Sequence, residues 1–105
     1  MLAYIEKNFS HTLTLEMLAE KAKMSTRNFS RAFKSMHGQT PMDYILQLRI
    51  SRAESLLKHS KHSITDIAYE CGFLDSSYFS RTFRKRTGLS PHDYRKKFIE
   101  EEKTE

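Results

Sequence analysis

The sequence predicts an all-α fold of about seven helices, arranged as two similar lobes joined by one long connecting helix. Two observations carry this. Glycine (3) and proline (2) are scarce, apolar residues recur three and four apart along the chain, and neither alternating strands nor Asn-Gly hairpin signals occur. The chain also repeats itself: with a shift of 50, residues 29–44 match residues 79–94 at eight of sixteen positions. The matches are Phe29/Phe79, Ser30/Ser80, Arg31/Arg81, Phe33/Phe83, Gly38/Gly88, Pro41/Pro91, Asp43/Asp93 and Tyr44/Tyr94. Upstream a shift of 49 pairs Leu15/Ile64, Leu18/Ile67, Ala19/Ala68 and Ala22/Cys71, so the second copy carries one extra residue before its second helix. Two copies are too few for a solenoid and read as two lobes.

Helices are expected at residues 1–9, 14–22, 25–36, 41–59, 64–71, 75–87 and 91–99. The helix at 14–22 and its counterpart at 64–71 each place four small or apolar residues at i, i+3, i+4 and i+7, beginning at Leu15 and Ile64. Ser63 and Asp66 form a capping pattern, with Ser63 covering free amides and Asp66 reaching back. The helix at 25–36 turns Phe29, Ala32, Phe33 and Met36 inward, and that at 75–87 does the same with Phe79, Thr82 and Phe83. Gly38 and Gly88 stop these helices, and Pro41 and Pro91 fit the first turns of the next. The resulting organisation is a first lobe at 1–40, the connecting helix at 41–59, a second lobe at 60–99 and an acidic, disordered tail at 100–105.

Each lobe thus has a short helix, a tight turn and a second helix, a helix-turn-helix pattern. Gly72 sits where the second turn needs positive φ, whereas Lys23 takes that place in the first, so either Lys23 is strained or the first turn differs.

A chain of 105 residues makes one small domain or two lobes sharing one, which leaves no room within it for a multidomain enzyme. No apolar run approaches the roughly 18 to 20 residues of a membrane span. A single cysteine cannot form an internal disulfide, which fits a reducing cytoplasm. Residues 99–105 hold four Glu and one Lys, so the other 98 carry 17 basic against 9 acidic residues, a net +8. That excess suits a polyanion, because Lys and Arg gain affinity by releasing counterions from phosphates.

The outward faces of the second helices give the charge a direction. Arg27, Arg31 and Lys34 fall on one side of the first, with Ser30 flanking them; Ser77, Arg81 and Arg84 repeat this on the second, with Ser80 flanking. Arg can grip guanine O6 and N7 with two bonds, and Ser can reach bases or phosphates. A solvated amphipathic surface explains one such helix but not the same Ser-Arg pair on two duplicated ones, so contact with double-stranded DNA is expected.

These residues also carry a resemblance. Gly72-Phe73, Ser77-Tyr78-Phe79-Ser80-Arg81, Phe83-Arg84-Lys85, Gly88-Leu89-Ser90-Pro91 and Tyr94-Arg95 resemble the second motif of the DNA-binding domain of AraC/XylS-type bacterial transcription regulators. Arg49-Ile50, Ala53 and Leu56-Leu57 resemble that family's connecting helix, and the likeness runs from about Leu2 to Phe98. It implies a seven-helix, homeodomain-like domain that sets two recognition helices into successive major-groove segments on one DNA face. It further implies the output domain of a larger cytoplasmic regulator, contact with RNA polymerase, and no cofactor. Carried over by position, DNA contacts fall on Arg27, Ser30, Arg31 and Lys34, then on Ser76, Ser77, Ser80, Arg81 and Arg84. A connecting helix of about 19 residues spans roughly 28 Å, comparable with the 34 Å of one DNA turn. With two reading helices in one chain, the isolated domain is expected to bind as a monomer.

Two other classes compete with this reading, a basic protein-interaction module and a DNA-processing enzyme. His11, His37, His59, His62 and His92 are scattered without metal-ligand spacing, so no zinc site is expected. Cys71 aligns with Ala22 on a packed face and reads as a small hydrophobe. Tyr44 and Tyr94 follow Pro-x-Asp three residues into their helices; packing on the preceding lobe suits them better than a nucleophilic role.

Overall fold

The computed structural model describes the backbone of residues 1–104 and the side chains of residues 1–99. Seven helices follow one another: α1 (Leu2–Asn8), α2 (Leu15–Lys21), α3 (Thr26–His37), α4 (Pro41–His59), α5 (Ile64–Glu70), α6 (Ser76–Thr87) and α7 (Pro91–Thr104). No strand occurs among the described residues. Short polar side chains start most of these helices by satisfying amides that the first turn leaves free. Thr14 Oγ1 accepts from the Met17 N–H, Thr40 Oγ1 from Asp43 N–H and Ser90 Oγ from Asp93 N–H. Pro41 and Pro91 are the first helical residues after the last two caps, where a missing N–H costs nothing.

The Ser63–Asp66 pattern is only half made. Ser63 Oγ accepts from the Asp66 N–H at 3.0 Å, but among the described residues the Asp66 carboxylate returns no bond to Ser63. Aspartate is one methylene shorter than the glutamate of a full capping box. α7 is also longer than its apolar period suggested, remaining helical to Thr104, in line with the high intrinsic helix propensity of Glu and Lys. The acidic tail expected at 100–105 therefore starts within α7, and its side chains lie outside the described residues.

The chain divides into two compact units, Met1–Leu48 and Arg49–Glu105, and the division falls inside α4. The first unit closes on Ile5, Leu13, Leu18, Ala19, Phe29, Phe33 and Ile45. In the second, Ile67, Ala68, Cys71, Phe79 and Phe83 are fully enclosed, with Ala53, Leu57 and Phe73 beside them in the buried set.

The helix-turn-helix turns of the two units are alike. In the first, Lys23 N–H bonds to Glu20 O at 2.9 Å and Met24 N–H to Ala19 O at 2.9 Å; in the second, Gly72 N–H bonds to Tyr69 O at 3.1 Å and Phe73 N–H to Ala68 O at 2.9 Å. This is the paired-bond ending of a helix through a positive-φ residue. Gly72 has φ 103° and Lys23 has φ 58°, so the lysine adopts the left-handed conformation and the turn does not change.

The extra residue of the second copy is Leu74, 84% exposed between Phe73 and the Asp75 cap. Phe73 itself is buried, its ring centroid 5.0 Å from that of Phe79. Its counterpart Met24 is exposed, and the first unit keeps an open apolar groove of about 440 Å³ lined by Met1, Leu2, Ala22, Met24 and Met36 among others. Met36, expected to face inward, is instead 78% exposed. Helical period fixes the side a residue takes, and in the last turn of α3 nothing covers that side; in α6 the same place holds Arg86.

Candidate nucleic-acid interface

Helices α3 and α6 are held by their caps at one end and by paired phenylalanines along one side. Ser25 Oγ accepts from the Asn28 N–H at 3.1 Å, while Asp75 Oδ1 accepts from the N–H groups of Ser77 at 2.8 Å and Tyr78 at 3.4 Å. Phe29 and Phe33 are buried with ring centroids 5.9 Å apart, and Phe79 and Phe83 are buried 5.7 Å apart. Each pair takes one arc of its helix into the core, which fixes the opposite arc toward solvent. Phe33 continues to Tyr44 at 5.9 Å and Phe83 to Tyr94 at 5.2 Å, so α4 and α7 buttress the two helices in the same way.

On α3 the exposed arc carries Arg27, Arg31 and Lys34, with Ser30 half-buried at its edge. On α6 it carries Ser77, Arg81 and Arg84, with Ser76 and Ser80 half-buried. Every residue expected from sequence to contact DNA thus lies on the second helix of a helix-turn-helix, and none is in a core. Arg31 and Arg81 sit near the middle of their arcs, diametrically away from the phenylalanines. Ser30 and Ser80 flank the arcs, and Ser76 stands half-buried as the first residue of α6 on the side of the phenylalanines; all three reach a shorter distance than arginine, which suits hydrogen bonds to phosphate or sugar.

Two further exposed residues on these helices lie away from the basic flank, where charge gives no signal. Asn28 on α3 and Tyr78 on α6 occupy equivalent positions on the opposite flank. Tyr78 is 45% exposed with its ring 6.0 Å from Phe73, and a helical wheel drawn for polarity instead of charge would have included both. A third residue is positional. Arg95 of α7 donates from Nε to Leu57 O and from Nη2 to Ser60 O, both at 3.2 Å, and so covers carbonyls that the end of α4 leaves free. A contact 35 and 38 residues away leaves no signal in local spacing. Arg49, half-buried with its guanidinium 6.0 Å from the Phe73 ring centroid, has its pKa lowered by burial.

The groups considered for other chemistry are placed for packing. Cys71 is fully buried, and burial pushes its thiol up to about 12, so it is not a thiolate at neutral pH. The Tyr44 and Tyr94 hydroxyls are raised by burial and then by the glutamates that accept their hydrogen bonds, the wrong direction for a phenolate nucleophile. Among the described residues no group of three or more His, Cys, Asp or Glu is placed to hold a metal ion, and no helix is long and apolar enough to cross a membrane.

Two helix-turn-helix units, each presenting an arginine-bearing second helix, define a protein of the helix-turn-helix DNA-binding class. A family model for a helix-turn-helix domain matches residues 18–97. The chain is 42% identical over 95 residues to the HTH-type transcriptional activator RhaS of Salmonella schwarzengrund and 43% identical to that of Citrobacter koseri, covering 90% of this chain. It spans 34%, about a third, of the length of those curated relatives. Among solved structures it is similar to the C-terminal domain of the two-component response regulator yesN from Fusobacterium nucleatum, with a TM-score of 0.87, 34% identity, and 90% of this chain and 92% of that one covered. It is also similar to the DNA-binding domain of AdpA, a global transcriptional factor solved with a target DNA, with a TM-score of 0.88, 32% identity, and 92% and 87% covered. The chain belongs to the AraC/XylS-type family of transcription regulators, of which it is the DNA-binding domain.

Proposed function

We propose that this domain binds double-stranded DNA sequence-specifically through α3 and α6, set into successive major-groove segments, and so directs bacterial transcription as the output domain of a larger cytoplasmic regulator. The observation that carries the reading is the Ser-Arg pair at the same place on both second helices, Ser30-Arg31 and Ser80-Arg81, each arginine exposed opposite two buried phenylalanines. Arg31 and Arg81 read base edges, guanine being their best match, while Arg27, Lys34, Ser77 and Arg84 divide between bases and phosphates and Ser30, Ser76 and Ser80 hold the backbone. The domain acts as a monomer, contacts RNA polymerase where it activates, and performs no catalysis and needs no cofactor. The relatives named as transcriptional activators and the AdpA domain solved on its target DNA support this reading.

The test is binding to a duplex selected from a random library, compared with heparin and with random duplex. Roughly 5 to 8 phosphate contacts give a log-log salt slope of about −4 to −7. Arg31→Ala and Arg81→Ala each weaken the selected duplex by about 1 to 3 kcal/mol and random DNA by less. A slope near zero, or no preference for duplex over heparin, sinks the reading; equal losses on both DNAs reassign the arginines to the backbone.

A further inference from the structure

The two recognition helices share an arginine but differ at the exposed position three residues before it. That position is Asn28 on α3 and Tyr78 on α6. Asn28 is the third residue of α3, exposed, and its own N–H is already satisfied by Ser25 Oγ at 3.1 Å. Among the described residues its side-chain amide has no hydrogen-bond partner. At 100° per residue it stands about 60° from Arg31, one turn nearer the helix start, on the same solvent-facing arc.

Position decides what so short a side chain can do. The recognition helix of a helix-turn-helix contacts base edges with its N-terminal residues, so an asparagine in the first turn is placed to read a base. Asn28 meets that condition, whereas Ser35, on the same arc two turns later, does not. An amide presents a donor and an acceptor side by side, the complement of adenine N6 and N7. Guanine offers two acceptors there, which opposes the amide oxygen. Tyr78 cannot make this paired contact, and its ring lies 6.0 Å from Phe73.

Building on the assignment of α3 as a DNA-reading helix, we propose that Asn28 is a specificity-determining residue that selects adenine next to the base read by Arg31, and that α6 makes no equivalent selection at its own half-site.

The experiment runs two selections from a random duplex library, with the full 105-residue chain and with its Asn28→Ala variant. It then scans the selected duplex with 7-deazaadenine, which keeps base pairing but removes N7. The expected result is one adenine in the half-site that depends on Arg31, whose 7-deaza form weakens wild-type binding roughly tenfold. Asn28→Ala loses a similar factor on the natural duplex, no longer responds to the 7-deaza base, and selects no base there while keeping the Arg31-dependent one. Asn28→Asp, which keeps the size but loses the donor, disfavours that adenine. The proposal is overturned if Asn28→Ala selects the same adenine, or if its loss is equal on every duplex, as a phosphate contact gives. If wild type enriches no duplex at all, the DNA-reading assignment of α3 falls and takes the proposal with it, an outcome distinct from the first two.

Discussion

The Tyr94 hydroxyl donates to Glu54 Oε2 at 2.9 Å, joining α7 to the second half of α4. Tyr44 makes the matching bond, also 2.9 Å, to Glu6 of α1. The tyrosines are 50 residues apart and the glutamates 48. The second half of α4 therefore serves the second unit as α1 serves the first, and the repeat covers a helix more than the identities at 29–44 and 79–94 disclose. The same bond gives a pH dependence. Burial first, then the bond to Glu54 and its charge, raise Tyr94 above the ordinary tyrosine value of about 10, which the unfolded chain retains. The resulting stability is complete below about pH 10 and is lost as the pH climbs beyond it, because the unfolded chain releases its proton first. Tyr94→Phe is expected to cost about 1 kcal/mol at pH 8 and to make the alkaline decline shallower, as followed by urea unfolding from pH 8 to 11. A variant with the wild-type alkaline slope would remove Tyr94 from this account.

Phe79→Ala tests the orientation of α6. The ring is 0% exposed and packs, tilted, between Phe73 and Phe83, with centroids 5.0 and 5.7 Å away. Emptying that place is expected to cost about 3 to 5 kcal/mol, a large share of a small domain's stability, with a clear fall in melting temperature and loss of DNA binding. An unchanged melting curve would mean that α6 is rotated and that Arg81 does not face outward.

The outline of the fold was legible because period and caps are local. Paired phenylalanines, Gly38 and Gly88 as stops, and Pro41 and Pro91 as starts each act within a few residues. The exposed arcs of α3 and α6 were legible for the same reason, since the arc opposite a buried aromatic pair is fixed by helical geometry alone. What the sequence hid was non-local or depended on what was missing. Arg95 covering the end of α4 needs a contact across 35 residues or more. Met36 lies exposed because no other element covers the inward side of the last turn of α3. Asn28 carries no charge, so the basic pattern that marks Arg27, Arg31 and Lys34 does not mark it.

Lys23 and Gly72 allow a paired test, since their turns share one hydrogen-bond pattern and differ in who bears the positive φ. Lys23→Gly relieves about 1 to 2 kcal/mol of left-handed strain and pays about 0.5 to 1 in chain entropy, so stability is expected to be unchanged or to rise by up to about 1 kcal/mol. Gly72→Ala gives the opposite sign, a loss of at least about 1 kcal/mol, because φ 103° is harder for a side chain than φ 58°. Thermal melts of both variants decide it. A destabilised Lys23→Gly would show that the lysine side chain contributes more than its backbone costs.

The last expectation concerns how many chains one site needs. Single helix-turn-helix proteins pair by a two-fold axis to obtain two reading helices, whereas this chain carries both, so one molecule is expected per site. The two helices offer different outward residues, Arg27 against Ser77, Lys34 against Arg84 and Asn28 against Tyr78, so the half-sites need not match and the site is asymmetric. Their centres are expected about 10 base pairs apart, the spacing that keeps both on one face of the duplex. Five inserted base pairs turn one half-site about half a revolution away from the other, leaving each chain a single lobe to bind with and lowering affinity at least about tenfold. Sedimentation of the chain with a duplex of about 20 base pairs checks the first point and a gel-shift titration on the lengthened duplex the second. Two chains on the short duplex, or an affinity indifferent to the insertion, would mean that the lobes read DNA independently or in partnership with a second molecule.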